Sequence, residues 1–286
     1  MTIILLDSKK LMKEILIIIA LFIAMAMSCE KKSNKDLLVE EKETAISSIE
    51  KTSESDLLWS GDATDGERVF RNIEFQKLDE RPITPPHNGS YFQSESDTEE
   101  GTVWHVHKSV LDGRVEARGA KGVTITAGNT YYIGFRFKLG QTPTSGAGVY
   151  HTVFQWKAYG KPMIQNIPLD FTYEGGHMSF NYRGPEAETQ MTKLFRTPNV
   201  EVNRWYSVVL KIKTNKDTTG NVQIWWDSSF TPATLLTGET SFDCKTFDGS
   251  EIDPKWGYYN RKDNDAHIYF SQLRMGKTYE SVNPIN

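Results

Sequence analysis

Residues 205–213 read WYSVVLKIK and residues 222–227 read VQIWWD, and these two segments point most directly to a fold. β-Branched and aromatic residues dominate both segments, as is usual in β-strands. Between them lies the polar sequence DTTG at residues 217–220, which is typical of a turn. The sequence therefore predicts an antiparallel hairpin in this part of the chain.

Short segments of the same kind recur from Trp59 to the end of the chain, and no window sustains a helical apolar stripe. Nine or more strands without helices predict an all-β fold, a concanavalin-like jelly roll of two antiparallel sheets, over residues 58–286. The predicted strands are Thr102–Lys108, Arg114–Gly119, Thr130–Lys138, Val149–Lys157, His177–Arg183, Tyr206–Lys213, Asn221–Asp227, Trp256–Arg261 and His267–Met275.

The composition suits one globular domain without affinity for nucleic acid. The chain has 286 residues, of which 38% are hydrophobic, and a formal net charge of −4. That length allows one sizeable core. An anionic ligand would have to meet a local basic patch, because the overall charge is negative.

The N-terminal residues read as an export signal. Three lysines precede an apolar run, Ile15–Met27, that is too short to span a bilayer but suits the core of a signal peptide. The following Ala26-Met27-Ser28-Cys29 resembles a bacterial lipobox. This resemblance implies a signal peptide at residues 1–28, a lipid on Cys29 and attachment to the bacterial outer membrane, on its surface or periplasmic face. An uncleaved anchor is the alternative.

Residues 29–57 are rich in Lys, Glu and Ser, and they predict a solvated tether between the anchor and the domain. The membrane is expected to contact the protein through the lipid alone. Cys244 is the other cysteine, and it is expected to be a small buried residue without a disulfide.

A strand at residues 151–157 has an unusual polar side. Strict alternation directs Thr152, Phe154 and Trp156 into the core and leaves His151, Val153, Gln155 and Lys157 on the open face of a sheet. Two more segments place charged groups on one face in the same way. They are Arg114-Val115-Glu116-Ala117-Arg118, and Lys255-Trp256-Gly257-Tyr258-Tyr259-Asn260-Arg261.

These segments resemble motifs of the jelly-roll polysaccharide lyases, which include alginate lyases, glucuronan lyases and heparin lyase I. The family motifs are Arg-x-Glu-x-Arg, matched at 114–118, then Gln-x-His, and a late Lys-x-Gly-x-Tyr, matched at 255–259. The second motif is altered, because Gln155 is followed by Lys157 instead of a histidine. The segment at 267–276 is similar to the closing strand of the heparin lyase I group.

The resemblance implies cleavage of a uronic-acid polysaccharide by β-elimination. An enzyme of this kind neutralises the uronate carboxylate, removes the proton at C5 and protonates the oxygen at C4. Gln155 and Arg118 suit neutralisation, and Tyr259 suits the acid, or both acid and base. The phenol of Tyr259 is expected to have its ionised form favoured by nearby cations. Arg114, Lys255 and Arg261 suit binding of carboxylates or sulfates.

The identity of the base stays open among His151, Lys157, His107 and Tyr259. His87, at the rim of the cleft, and His107 are expected as further contacts for substrate. His105 and His107 have a metal-like spacing, but zinc needs a third ligand, and none lies nearby in the sequence. No metal or other cofactor is therefore expected, and Asp263-Asn264-Asp265 is taken as a polar turn in preference to a calcium site.

The substrate is expected to be a glucuronate-rich or sulfated polymer, such as glucuronan or ulvan, in preference to alginate. Two alternatives remain open at this point. A non-catalytic glycan-binding lipoprotein would use aromatic platforms such as Trp156 and Tyr182. A jelly-roll glycoside hydrolase would need a pair of carboxylates, and Glu251-Ile252-Asp253 begins such a motif without completing it.

Overall fold

We describe the chain from a computed structural model. The structure describes residues 56–78, 89–143, 149–185, 191–227, 229–262 and 264–284. The predicted signal peptide, Cys29, nearly all of the predicted tether and His87 lie outside these residues. Within the described ranges, no helix is both long enough and apolar enough to cross a membrane.

The described residues fold almost entirely as strands, as predicted. Two single 3-10 turns, Ala63–Asp65 and Glu67–Val69, and one short helix, α1 (Tyr279–Val282), accompany them. The strands are β1 (Leu57–Ser60), β2 (Phe70–Lys77), β3 (Tyr91–Asp97), β4 (Gly101–Lys108), β5 (Asp112–Ala120), β6 (Thr130–Leu139), β7 (His151–Tyr159), β8 (Leu169–Glu174), β9 (His177–Arg183), β10 (Met191–Asn199), β11 (Trp205–Lys213), β12 (Asn221–Trp226), β13 (Phe242–Asp243), β14 (Glu251–Tyr259) and β15 (Ala266–Gly276).

The strands form two antiparallel sheets. The eight-stranded sheet has the order β13-β12-β11-β6-β15-β4-β3, with β1 also paired to β15. The seven-stranded sheet has the order β10-β9-β8-β7-β14-β5-β2. The predicted hairpin is present as β11 and β12, with Lys213 paired to Asn221 next to the turn. The predicted two-sheet sandwich is therefore confirmed.

Most predicted strands match to within two residues, but β14 starts five residues earlier than expected. Its early part contains Pro254, which lacks a backbone N–H group. Strand β14 pairs with β7 from Glu251 onward, but with β5 only from Lys255. The proline therefore precedes the part of β14 that is paired on both sides, where a missing N–H group would be harder to accommodate.

The core lies between the two sheets and is rich in aromatic residues. Phe135 of one sheet lies 5.7 Å from Phe154 of the other, measured between ring centroids. Trp256 stacks on Trp59 at 5.2 Å. Cys244 is buried, as the sequence predicts, and burial raises the pKa of its thiol well above the usual range. The inner, apolar faces of the two sheets are thus buried against each other. We therefore look for functional side chains on the outer faces.

Candidate active site

The open face of the seven-stranded sheet carries a row of polar side chains. Phe154 and Trp156 of β7 and Trp256 of β14 are buried in the core. The residues between and beside them, Gln155 and Lys255, therefore project to the other side of the sheet. Side chains from six neighbouring strands of this sheet form one polar surface, namely β2, β5, β14, β7, β8 and β9.

Strand β7 does not alternate strictly, because it contains a bulge at Val153. The pairing of β7 with β8 shifts between Thr152 and Phe154, and both Val153 and Phe154 belong to the core. A bulge inserts one residue into the strand, so the side chains before it point to the opposite side of the sheet from that predicted by strict alternation. Thr152 consequently lies on the open face with Gln155, although alternation predicts the core for it.

The same bulge turns His151 away from the open face, which corrects the predicted placement. His151 is 1% exposed, and its Nδ1 contacts the hydroxyl of Tyr258 and lies 3.2 Å from Nδ2 of Asn260. Its partner across the ladder is Tyr173, a core residue. His151 is therefore part of a buried polar cluster on the inner side of the sheet.

Strand β14 has a matching irregularity that sets the position of Tyr259. Its pairing with β7 shifts between Trp256 and Tyr259. Gly257 lies at the irregularity with φ 150°, and a Cβ atom there would lie 2.2 Å from the carbonyl oxygen of Val115. Only glycine allows this close approach of β14 to β5. Tyr258 then faces the interior and Tyr259 the open side, as predicted.

A buried charge cluster lies at the centre of the open face. The Nζ of Lys255 lies 2.6 Å from Glu74 and 2.7 Å from Glu116, and all three residues are at most 1% exposed. Nε2 of Gln155 donates to the other oxygen of Glu116 at 2.6 Å. Lys255 therefore cannot hold substrate directly, contrary to the predicted role, because its ammonium is already enclosed by two carboxylates.

Arg114 connects this cluster to Tyr259. Its guanidinium lies 3.2 Å from both Glu74 and Glu116, and its Cζ lies 4.6 Å from the centroid of the Tyr259 ring. Burial opposes the charged form, but Glu116 and Glu74 together raise the pKa of Arg114. The side chain keeps 15% exposure. A permanently charged guanidinium therefore lies against the Tyr259 ring.

Tyr259 lines a cleft of about 190 Å³ next to this arginine. The lining comes from β7, β8, β9 and β14 and from the segments before β8 and after β9, namely Thr152, Gln165, Asn166, Ile167, Asp170, Arg183, Gly184 and Tyr259. This volume accommodates a part of a sugar chain, and the cleft opens to solvent.

Arg183 is the cation of this cleft, and the sequence reasoning missed it. Its Nε donates to Oδ2 of the buried Asp170 at 2.7 Å, and Asn181 donates to Oδ1 of Asp170 at 2.8 Å. Burial raises the pKa of Asp170 against the opposing effect of Arg183. The signal was available, because Asn181 and Arg183 alternate on one face of a correctly predicted strand.

The predicted neutralising residue Arg118 lies away from Tyr259. Its Nε donates to Asp253 at 2.8 Å, and its Cζ lies 3.7 Å from the centroid of the Tyr159 ring. In the ladder, β14 residues Lys255 and Tyr259 pair with Arg118 and Arg114 respectively. Arg118 thus lies on the predicted face, but Arg114 is the arginine that contacts Tyr259.

Lys157 lies on the same distant part of the face. Its Nζ hydrogen-bonds to Oδ1 of Asn166, a residue of the cleft. Thr152 pairs with Tyr259 and Lys157 pairs with Asp253, so five residues of β7, or roughly 16 Å, separate the two positions along the strand. Burial, followed by the nearby charges of Lys255 and Arg114, lowers the pKa of Lys157 to about 8.

Two other predicted residues lie outside the cleft. His107 belongs to β4 in the eight-stranded sheet, where its Nδ1 donates to the carbonyl oxygen of Gly89 at 2.8 Å. His107 therefore lies outside the cleft with which it was grouped, because the core separates the eight-stranded sheet from that cleft. Arg261 is exposed beyond the end of β14 and donates to the carbonyl oxygen of Leu78 at 3.2 Å.

The residues expected for a hydrolase do not form a working pair. Asp253 is 1% exposed and bound by Arg118, and Glu251 contacts Arg71. General acid–base hydrolysis needs two carboxylates that flank a glycosidic bond. These two carboxylates are instead held by arginines.

Comparison with known proteins identifies the family of this chain. The family described as polysaccharide lyase matches residues 77–274, which is more than half of the chain. A search of curated proteins gives no match.

Solved structures of lyases share the fold. The endo-β-1,4-glucuronan lyase from the fungus Trichoderma reesei has a TM-score of 0.54 and 15% identity, over 75% of this chain and 98% of its own. Alginate lyase AlyC3 has a TM-score of 0.52 and 13% identity, over 78% of this chain and 96% of its own. Alginate lyase vAL-1 from Chlorella virus has a TM-score of 0.51 and 9% identity, over 78% of this chain and 100% of its own. By its match to the family over most of its β-domain, this chain belongs to the polysaccharide lyases.

Proposed function

We propose that this lyase cleaves a uronic-acid polysaccharide, rich in glucuronate or sulfated, by β-elimination in the cleft at Tyr259. The observation that carries the proposal is the position of the Tyr259 phenol. It lines an open cleft that also contains Arg183, and the Arg114 guanidinium lies against its ring. A phenol with one arginine against its ring and a second arginine in the same cleft is suited to a substrate that carries carboxylates.

The two arginines supply what the reaction needs electrostatically. Removal of the C5 proton places negative charge on the uronate carboxylate as an enolate, and the C4–O bond then breaks to leave an unsaturated sugar. A fixed cation or donor at the developing charge contributes about 10²–10³ in rate. Arg114 lies against the Tyr259 ring and Arg183 lines the same cleft, so we assign them the neutralising role that the sequence suggested for Gln155 and Arg118.

Tyr259 serves as both base and acid in this proposal. Among the described residues that line the cleft, the titratable ones are Tyr259, Asp170 and Arg183, and Arg183 and Asn181 occupy the Asp170 oxygens. His151 faces the interior, and the Lys157 ammonium is hydrogen-bonded to Asn166. One phenol can remove the C5 proton and return it to the C4 oxygen only when both lie on the same side of the ring.

This requirement favours particular uronates. In glucuronate and mannuronate, the C5 hydrogen and the C4 oxygen lie on the same side of the ring, whereas in guluronate and iduronate they lie on opposite sides. The position that carries histidine in alginate lyases is Lys157 here, and a cation there suits additional carboxylate or sulfate groups. Together these features support a glucuronan-like or ulvan-like substrate.

A substrate panel tests the proposal. The purified full chain is incubated with glucuronan, ulvan, polymannuronate, polyguluronate and a neutral β-glucan, and the ultraviolet absorbance of the unsaturated product is followed. We expect the highest rate on a glucuronate polymer and none on polyguluronate or the neutral glucan. Fastest cleavage of polyguluronate would contradict the single-phenol mechanism.

The pH dependence of substrate affinity tests the role of Lys157. Its pKa of about 8 means that the ammonium is charged below pH 8 and loses its charge above it. We expect KM to rise roughly fivefold as pH passes through 8, equivalent to about 1 kcal/mol. The Lys157→Arg variant stays charged and should show a flat KM over this range. An equal rise in both proteins would exclude Lys157 as a substrate contact.

We also propose that the chain is a lipoprotein anchored through Cys29 to the outer membrane. The lipobox-like sequence at 26–29 supports this. In a bacterial host, Cys29→Ser should move the protein from the membrane fraction to the soluble fraction, as shown by immunoblotting. The control is Cys244→Ser, which should remain at the membrane. Persistence of the Cys29→Ser variant at the membrane would argue against lipidation.

A further inference from the structure

A cluster of imidazole and carboxylate groups lies on the outer face of the eight-stranded sheet, outside the lyase cleft. His107 of β4 and His267 of β15 are direct partners across the ladder, and their rings stack 4.3 Å apart at an interplanar angle of 9°. Asp265 immediately precedes β15. The core separates these three side chains from Tyr259, so the elimination chemistry does not explain them.

Both imidazoles direct the same ring nitrogen at one carboxylate. Nε2 of His107 lies 2.7 Å from Oδ1 of Asp265, and Nε2 of His267 lies 3.5 Å from Oδ2. One ligand atom can be taken from each residue so that all three atoms lie within 4.8 Å of one another. Small rotations of these partly exposed side chains bring such atoms to about 2.0–2.2 Å from a common ion.

The opposite nitrogens are held by acceptors, which fixes the tautomers. Nδ1 of His107 faces the Gly89 carbonyl oxygen at 2.8 Å, and a carbonyl can only accept, so this nitrogen donates. Nδ1 of His267 lies 2.8 Å from Nε2 of His105, and Nδ1 of His105 donates to Glu95. Nε2 of neutral His105 therefore accepts a hydrogen bond from Nδ1–H of His267.

In the neutral form of both histidines, these tautomers direct an Nε2 lone pair of each ring toward Asp265. Without a metal, Nε2 of His107 and Oδ1 of Asp265 share a proton in a hydrogen bond of 2.7 Å, and a divalent cation would take the place of that proton. Histidines that bind metals commonly donate their second N–H to a carbonyl or a carboxylate. Gly89 fills that position for His107, and Glu95 fills it for His267 through His105.

We propose that His107, Asp265 and His267 form a binding site for a divalent transition metal of the zinc class. Two imidazoles and one carboxylate suit zinc and its first-row neighbours better than calcium or magnesium, which prefer oxygen ligands. The side chains of Asp265 and His267 are 46% and 29% exposed, so water can complete the coordination.

The ion would fasten the segment before β15 to the sheet. Nζ of Lys108 donates to the carbonyl oxygen of Asn264 at 2.7 Å, and Nδ2 of Asn264 donates to the hydroxyl of Tyr258 at 3.1 Å. A metal bound through Asp265 adds a link at the next residue. We therefore expect the metal to raise the thermal stability of the domain.

Binding is tested on the full chain, purified without a histidine tag and treated with a chelator. We expect Zn²⁺ titration by calorimetry to give one site per chain, Co²⁺ to give a visible absorption band at the same stoichiometry, and Zn²⁺ to raise Tm. Asp265→Asn and His267→Gln should each lower affinity at least about tenfold. Glu95→Gln, which acts through His105, should lower affinity by about 10–100-fold.

His177→Gln is the matched control. His177 lies in β9 of the other sheet, where its Nδ1 donates to the Thr197 carbonyl oxygen, so its loss should leave the affinity unchanged. Equal Tm values in chelator show that a variant is folded. Absence of stoichiometric binding to the wild type, or binding unaffected by both Asp265→Asn and His267→Gln, would overturn the proposal.

Discussion

The Tyr259→Phe variant is expected to lose at least about 10² in turnover while it retains its fold and its affinity for substrate. General acid–base catalysis contributes about 10²–10⁴ in rate, and the substitution removes only the hydroxyl that exchanges protons. The ring stays in place against the Arg114 guanidinium, so packing survives. Initial rates on the best polymer of the panel, at saturating concentration, provide the measurement.

Tyr258→Phe is the matched control for this experiment. Tyr258 is 1% exposed, faces the interior, and accepts a hydrogen bond from Asn264. Its loss leaves buried polar partners unsatisfied, so we expect a loss of about 1–3 kcal/mol in stability with near wild-type turnover. Near wild-type turnover in Tyr259→Phe would remove the proposed acid and base together, and with it the assignment of this cleft.

The second large effect is expected from Lys255→Met, which should lower the free energy of unfolding by about 3–5 kcal/mol. The ammonium of Lys255 is fully buried between Glu74 and Glu116, and its removal leaves two buried carboxylates with one partly exposed arginine. Breaking a buried ion pair from one side costs this much because the remaining charge is uncompensated. Denaturant unfolding followed by tryptophan fluorescence gives the value.

Two further variants separate this effect from a general loss of charge. Lys193→Met removes the cation of the half-exposed Lys193–Glu174 pair, and it should cost no more than about 1 kcal/mol. Adding Glu74→Gln to Lys255→Met removes one of the stranded charges and should restore part of the loss. Equal costs for Lys255→Met and Lys193→Met would contradict the proposed charge cluster.

The pH dependence of stability should change in the same variant. Burial favours the protonated form of Glu74, but Lys255 and then Arg114 lower its pKa overall. A carboxyl whose pKa is lowered on folding contributes stability above its ordinary pKa, and that contribution is lost as the pH falls through the folded value. Without Lys255, burial has the larger effect on the pKa of Glu74. The loss of stability at acidic pH that is assigned to Glu74 should then disappear.

Much of the fold and the face of the site could be predicted from residue patterns. Alternation correctly directed Phe154 and Trp156 to the core and Gln155 and Tyr259 away from it. The polar strand β3, which reads YFQSESD, was missed because its sequence lacks an apolar alternation. Strand β8 was missed although its pattern was available, because the apolar Leu169, Phe171 and Tyr173 alternate with polar residues in LDFTYE.

The positions of individual functional groups depended on features that the patterns do not contain. The bulge at Val153 turned His151 inward and Thr152 outward, and nothing in the residues 151–157 indicates an inserted residue. Burial of Lys255 required Glu74, which lies 181 residues away. Likewise, His267 and Asp265 became neighbours of His107 only through the pairing of β15 with β4.

The sequence by itself thus determined the all-β class, the two-sheet sandwich and the identity of the polar face, because these follow from alternation and turn residues within single strands. The tertiary structure alone decided which arginine meets Tyr259, which lysine is enclosed and where the histidines gather. Those outcomes depend on strand register and bulges, which arise from packing between segments that are distant in the chain.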